Sequence, residues 1–337
     1  MAAKNIPSEN ITIKNITIKN SMKSIDQTTQ NRPAEKFVSK SVMAPKAPLA
    51  PVAPLAPLAI TVMKAILYFV AMLSAALLSA CGGSSGFPPV ITGVKVQSIS
   101  FGRTATIYLG GQDLRSSMVV DTGGACASPN FATSSTTAML VLNCVPKVAG
   151  DFPLTLKSAE GQVVYSGTVQ VPNPQVTLIT AKGAITLELD PAKAPISTNN
   201  FLSYVASGFY KDTLFHRVIA GFVVQGGGYT TGMVKRTSSA LPIELESNKG
   251  LSNLRGTLAM ARTNVPNSAT SEFFINLVDN TSLDYKNAAN PGYAVFGKVV
   301  QGMELVDAIA AEPTGVVKGF ADVPLSEVMV TLAIQSR

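Results

Sequence analysis

Between Val176 and Leu189 apolar and polar residues alternate on either side of a Lys182-Gly183 turn, the period-two pattern of a β-hairpin. From Pro195 to Ser207 the period changes: Phe201, Leu202 and Val205 fall at helical spacing, Ser197 and Thr198 are polar capping candidates, and Gly208 ends the run. A second helix is predicted from Met303 to Ala311, stopped by Pro313. The remainder of residues 176–337 is strand-and-turn sequence, so a closed antiparallel sheet with two covering helices is expected there. Upstream, residues 88–171 divide into short β-branched runs: Val94–Ile99, Ala105–Leu109, Met118–Val120, Ala138–Leu142, Phe152–Lys157 and Val163–Val171. Gly, Asn, Asp and Ser separate them, a spacing that predicts a small antiparallel sandwich, with residues 172–175 as a linker.

The first part of the chain carries neither period. Residues 1–62 hold a polar repeat from Asn10 to Asn20 and an Ala/Pro tract from Ala44 to Ala59, which reads as disorder. Residues 63–80 have the layout of a secretory signal: Lys64, an apolar run, then small residues. The run from Ala65 to Ala80 is 16 residues, short of the roughly 18 to 20 that span a bilayer. Leu78, Ser79, Ala80 and Cys81 resemble the lipobox of bacterial lipoproteins, which implies acylation of Cys81 and a membrane anchor through it. By that resemblance Gly82 favours the outer membrane, so the expected location is the bacterial envelope, facing the periplasm, with residues 81–87 as a tether. A signal starting at Met63 leaves residues 1–62 as an awkward extension and points to a misassigned start codon.

At 46% hydrophobic and 14% charged residues over 337, the chain is long enough and apolar enough for two folded domains. Its net charge of +7 suggests nucleic acid until it is divided: residues 1–80 hold nine Lys/Arg against three Asp/Glu, the rest eighteen against seventeen. The folded part has no cationic stripe for phosphate, so no nucleic-acid partner is expected. With Cys81 acylated, Cys126 and Cys144 remain as one pair outside the cytoplasm, read as a disulfide. Metal binding is the rival reading, weakened by the lack of CxxC spacing or a nearby histidine.

The stretch Thr213–Gly228 holds the only histidine, His216, beside Arg217 in an apolar run, and Gln225 ahead of three glycines. A buried guanidinium is costly unless paired, so an arginine flanked by Phe215, Val218 and Phe222 calls for an assignment.

Several pieces, in order over about 160 residues, resemble the cyclophilins, the cofactor-independent peptidyl-prolyl cis/trans isomerases: Phe215-His216-Arg217, Gly221-Phe222, Gln225–Gly228, Gly256–Arg262, Ser268–Asn276, Leu283-Asp284 and Tyr293–Val299. The phrasing is similar to the bacterial periplasmic branch. The resemblance implies an eight-stranded antiparallel barrel with two capping helices, preceded here by a sandwich that loosely resembles the immunoglobulin-like domains of plexins. It implies proline-containing polypeptides as partners and needs neither cofactor nor metal. A partner for the sandwich stays unknown.

It further implies Arg217 as the catalytic group, hydrogen-bonding the prolyl nitrogen. Phe222, Val223, Phe274 and Leu283 match the proline pocket, with Tyr293 closing it in place of a histidine. Ala261 and Arg262 are expected along the bound peptide, Arg262 through its backbone, and Gln225 is expected to hold Arg217 or a substrate carbonyl. His216 is expected in the groove wall, since rotating a bond transfers no proton. The chain has no tryptophan, and Ser282 stands near the groove-edge indole of many eukaryotic members, which argues against tight cyclosporin binding. Glu272 replaces the family's usual glutamine; the expectation is that it pairs with Arg217, competes for its donors and lowers activity. A binding module with weak or no isomerase activity is the alternative reading.

Overall fold

The computed structural model describes residues 87–337. The extension over 1–62, the signal-like segment 63–80, Cys81 and the tether up to residue 86 lie outside the described residues.

The first seven strands are β1 (Val90–Gln97), β2 (Ala105–Gln112), β3 (Val119–Asp121), β4 (Cys126–Phe131), β5 (Met139–Pro146), β6 (Gly150–Lys157) and β7 (Val163–Val171). They form two antiparallel sheets, ordered β1-β2-β5-β4 and β3-β6-β7. Period-two alternation sends Ile107, Leu109, Leu140, Leu142, Leu154 and Leu156 into one core, where Cys126 and Cys144 are also buried. The two cysteines are joined by a disulfide, with their Cα atoms 5.4 Å apart. The sequence pattern did not announce β4. It carries Pro129, and Ser128 has a left-handed φ of 46°; both are tolerated because β4 is an edge strand whose pairing with β5 shifts register between Ala127 and Asn130.

The second half contributes β8 (Gln175–Thr180), β9 (Gly183–Leu189), α1 (Pro195–Ala206), β10 (Thr213–Ile219), β11 (Val223–Thr230), β12 (Val234–Lys235), β13 (Thr257–Met260), β14 (Phe273–Asn276), β15 (Val295–Gln301), α2 (Met303–Ala310), β16 (Thr314–Val317), β17 (Phe320–Pro324) and β18 (Met329–Gln335). Eight strands run β10-β18-β8-β9-β15-β13-β14-β11, and a β10–β11 pairing closes the ring. This is the predicted architecture, mainly β with an eight-stranded antiparallel barrel and two helices. Inside it lie Val176, Leu178, Ile185, Leu187, Phe215, Phe273 and Phe296, onto which α1 packs Phe201 and α2 packs Val306 and Ile309. Gln335 of β18 donates from Nε2 to the carbonyl of Phe101 at 2.9 Å, a contact between barrel and sandwich.

Helix α1 starts differently from the expectation. Pro195 occupies the first turn, so the cap position falls on Ala194, which has no side-chain acceptor, and Ser197 and Thr198 are buried within the helix. A remote carboxylate does the capping. Glu246 Oε1 accepts the Ile196 N–H at 3.0 Å, and Oε2 accepts the Ser197 N–H at 2.7 Å and its hydroxyl at 2.8 Å. An anion there also complements the helix dipole.

Candidate active site

The registers of β10, β11, β14 and β13 align Arg217, Gln225, Phe274 and Ala259 in one row, which Val295 of β15 extends. Val223, Ala259, Phe274 and Val295 form an apolar cluster separate from the barrel core, packed by Phe222, Ala261, Leu283 and Tyr293. A row across four strands brings together residues far apart in the chain.

A bulge decides where the arginine points. Phe215 pairs with Gly226 and Arg217 with Gln225, so His216 is an extra residue in β10. Such a bulge re-aims the side chains around it. Phe215 and Val218 enter the barrel core, whereas the Arg217 side chain is 40% exposed. The expected buried guanidinium is therefore not found: Phe215 and Val218 face the other way, and only Phe222 shares its side.

A cavity of about 140 Å³ opens beside it, lined by Arg217, Phe222, Val223, Gln225, Ala261, Arg262, Phe274, Leu283 and Tyr293. Those are nine of the site residues expected from sequence. Tyr293 stands edge-on to Phe274, ring centroids 5.6 Å apart. The Arg262 guanidinium lies 4.5 Å over the Tyr293 ring and its Nε donates to the Gly292 carbonyl, so its side chain serves the wall. Ser282 lies in an adjoining depression that shares Arg262, Leu283 and Tyr293. A larger cavity of about 390 Å³ lies between β9, β15 and residues 250–254; its Glu188 is already held by Gln175 and Arg337, and it shares no lining residue with the cavity beside the arginine.

His216 and Glu272 are not in the lining. Glu272 does not pair with Arg217, contrary to expectation: its Oε2 lies 3.3 Å from His216 Nε2 and accepts from Gln225 Nε2 at 2.9 Å. Gln225 intervenes, its Oε1 accepting from Arg217 Nη1 at 3.3 Å. His216 is correspondingly no groove-wall residue; it is buried, its ring tilted 49° against that of Tyr229 with centroids 4.6 Å apart, and its Nδ1 has no hydrogen-bond partner among the described residues. Burial pushes the Glu272 carboxyl up, but the His216 and Gln225 hydrogen bonds and the His216 charge outweigh it, and the group stays below the usual glutamate range.

The family model described as Cyclophilin type peptidyl-prolyl cis-trans isomerase/CLD matches residues 175–333. Over 158 residues the chain is 49% identical to "Peptidyl-prolyl cis-trans isomerase A" of Dickeya dadantii, covering 47% of this chain and 82% of that protein. It belongs to the cyclophilin family. Similar figures hold for the "Peptidyl-prolyl cis-trans isomerase" of Acinetobacter baylyi, 51% over 158 residues with 47% and 83% covered. For "Peptidyl-prolyl cis-trans isomerase B" of Escherichia coli they are 48% over 157 residues with 46% and 95% covered. Residues 175–333 are thus a cyclophilin-type peptidyl-prolyl isomerase domain.

Two parts of this cyclophilin's site were not foreseen. Asp322, from β17, places Oδ2 3.7 Å from Arg217 Nε; it lies about a hundred positions along the chain, and no local signal joins the two. Beneath the pocket, Asn280 Nδ2 donates to the Phe222 carbonyl and to Asn276 Oδ1, and Asn276 Nδ2 donates to Asn253 Oδ1. Asn253 in turn donates to Asp284 Oδ1 from its backbone and its side chain, at 2.7 and 2.9 Å. Asn276 and Asn253 are fully buried. In the sequence Asn276, Asn280 and Asp284 stand four positions apart, but Asn253 is 31 positions from Asp284 and carries no local signal.

Proposed function

We propose that this isomerase acts on X-Pro bonds of proline-containing polypeptides, with Arg217 as the catalytic residue. An amide resists rotation because nitrogen shares its lone pair with the carbonyl, a barrier of about 18–20 kcal/mol. A fixed cation that hydrogen-bonds the prolyl nitrogen as it pyramidalises stabilises the twisted state more than the planar one. The carrying observation is the half-exposed Arg217 guanidinium at the edge of a cavity of about 140 Å³ that Phe222, Val223, Phe274 and Leu283 also line. The cavity grips a proline ring through Phe222, Val223, Phe274 and Leu283, with Tyr293 as its lid, while Ala261 and the Arg262 backbone flank the preceding residue. Arg217→Ala should lower kcat in a coupled isomerisation assay by about a hundredfold, the scale of losing one transition-state donor, with peptide affinity largely kept. A variant that keeps its turnover would overturn the role of Arg217; a parent chain that binds peptide without isomerising it would favour a binding module.

The envelope location rests on separate observations. The lipobox-like Leu78–Cys81 supports anchoring at Cys81, and a Cys126–Cys144 disulfide fits an oxidising compartment. The tethered enzyme would assist folding of envelope proteins, with the immunoglobulin-like sandwich as spacer or docking module. Intact mass of the cell product tests this: any residue retained before Cys81 is incompatible with the anchor.

A further inference from the structure

The polar chain behind Arg217 has a direction. An ionised carboxylate only accepts hydrogen bonds, whereas a glutamine amide can turn either end toward a neighbour. Glu272 Oε2 faces Gln225 Nε2 at 2.9 Å, so the amide must present its NH₂ to the carboxylate and its carbonyl to Arg217, where Oε1 accepts from Nη1 at 3.3 Å. A glutamine at position 272 could meet either end of Gln225 and would leave that choice open. The far side is closed as well. His216 Nε2 lies 3.3 Å from the same oxygen, and because an ionised carboxylate only accepts, the donor in that contact is Nε2.

Gly228 makes room for the carboxylate. A Cβ there would stand 2.5 Å from Glu272 Cδ and 2.6 Å from Cγ and Oε1. The third glycine after Gln225 is therefore the floor on which Glu272 rests.

We propose that Glu272 is a positioning residue, which by locking the Gln225 amide with its carbonyl toward Arg217 holds the remaining Nη donors of the guanidinium toward the cavity. This rests on the reading of Arg217 as the catalytic group. It reverses the competition expected from sequence: the carboxylate supports the arginine through an intermediary and does not draw off its donors. Besides His216 and Gln225, the groups facing the carboxylate are Tyr229 of β11, pushed up by burial and by Glu272 itself, and Lys235 of β12.

The test is a double-mutant cycle on the full chain. Glu272→Gln should lower kcat about threefold, part of the worth of one oriented hydrogen bond, with KM unchanged. In a Gln225→Leu background the same substitution should change nothing, because the effect acts through Gln225. Gly228→Ala, which displaces the carboxylate without removing it, should reproduce the loss. As pH falls through the depressed Glu272 range, kcat should drop in the parent and stay flat in Glu272→Gln. Independently of turnover, side-chain NMR should show faster Arg217 guanidinium rotation in Glu272→Gln and Gly228→Ala. A Glu272→Gln enzyme as fast as the parent or faster, an equal loss in the Gln225→Leu background, or unaltered Arg217 rotation would each overturn the proposal. If instead Arg217→Ala kept full turnover while the rotation changed as stated, the catalytic assignment would fail and the positioning would stand.

Discussion

Asp322 Oδ2 lies 3.7 Å from Arg217 Nε, and both side chains are close to half exposed. The pair joins β10 to the β16–β17 hairpin, whose Phe320 stands edge-on to Tyr229 at 5.2 Å. Asp322 holds a left-handed φ of 60°, a conformation that aspartate tolerates better than most residues.

An ion pair this exposed contributes little to folding, so Asp322→Asn should alter stability by less than about 1 kcal/mol. Its effect belongs to substrate choice. At low ionic strength Asp322→Asn should shift kcat/KM away from peptides with a lysine near the proline and toward those with a glutamate. At about 0.5 M salt, where screening is effective within a few ångströms, the two enzymes should converge. Comparing kcat/KM for the two peptides across salt concentrations checks this, and a shift independent of salt would contradict it.

Glu246 predicts a different outcome. It is buried, and its carboxylate satisfies two backbone N–H groups and one hydroxyl at the start of α1. Glu246→Ala leaves those donors without their acceptor and should cost about 2–3 kcal/mol, read as a lower urea midpoint. Glu246→Gln keeps one acceptor and should lose about half as much. Below the transition both should isomerise at the parent rate, since α1 supplies no group to the cavity.

Asp284 offers a test by pH. Burial pushes its carboxyl up, but hydrogen bonds from the Ser252 hydroxyl and from the Asn253 backbone and side chain hold it below the ordinary aspartate range. A carboxyl depressed in the folded state adds stability that is fully present above its unfolded value, about 3.9, and is lost as pH falls through the folded value. The parent should therefore lose stability in acid more steeply than Asp284→Asn, which should be less stable at pH 7 and flatter below pH 4. Equal acid slopes in the two denaturation series would show that the Asn253–Asp284 contacts are not coupled to folding.

Much of this molecule was legible in the order of its residues. Alternation from Val176 to Leu189 marks β8 and β9, helical spacing of Phe201 and Val205 marks α1, and the Phe215–Gln225 stretch marks the arginine and its glutamine. What stayed hidden depends on partners distant in sequence. Glu246 caps a helix some fifty positions before it. Asp322 comes from a late hairpin. The side on which His216 and Arg217 emerge is set by a one-residue mismatch between β10 and β11, and a mismatch is a property of two strands, absent from either alone. The same mismatch explains why an arginine in an apolar run was expected to be buried and is not. Glu272 was misread for a related reason: proximity to Arg217 was apparent, but not that Gln225 stands between them.

Arg217 sits on β10, which pairs on one side with β11 and on the other with β18, where Thr213 meets Val330 and Leu214 meets Met329. During synthesis the chain emerges from its N-terminus, and β18 is the last of the eight ring strands to be made. Until then β10 lacks one of its two neighbours, and the row from Arg217 to Ala259 has no finished ring to lie on. A chain cut before residue 329 would consequently be a silent enzyme, and its isomerase activity would report that the closing strand has docked.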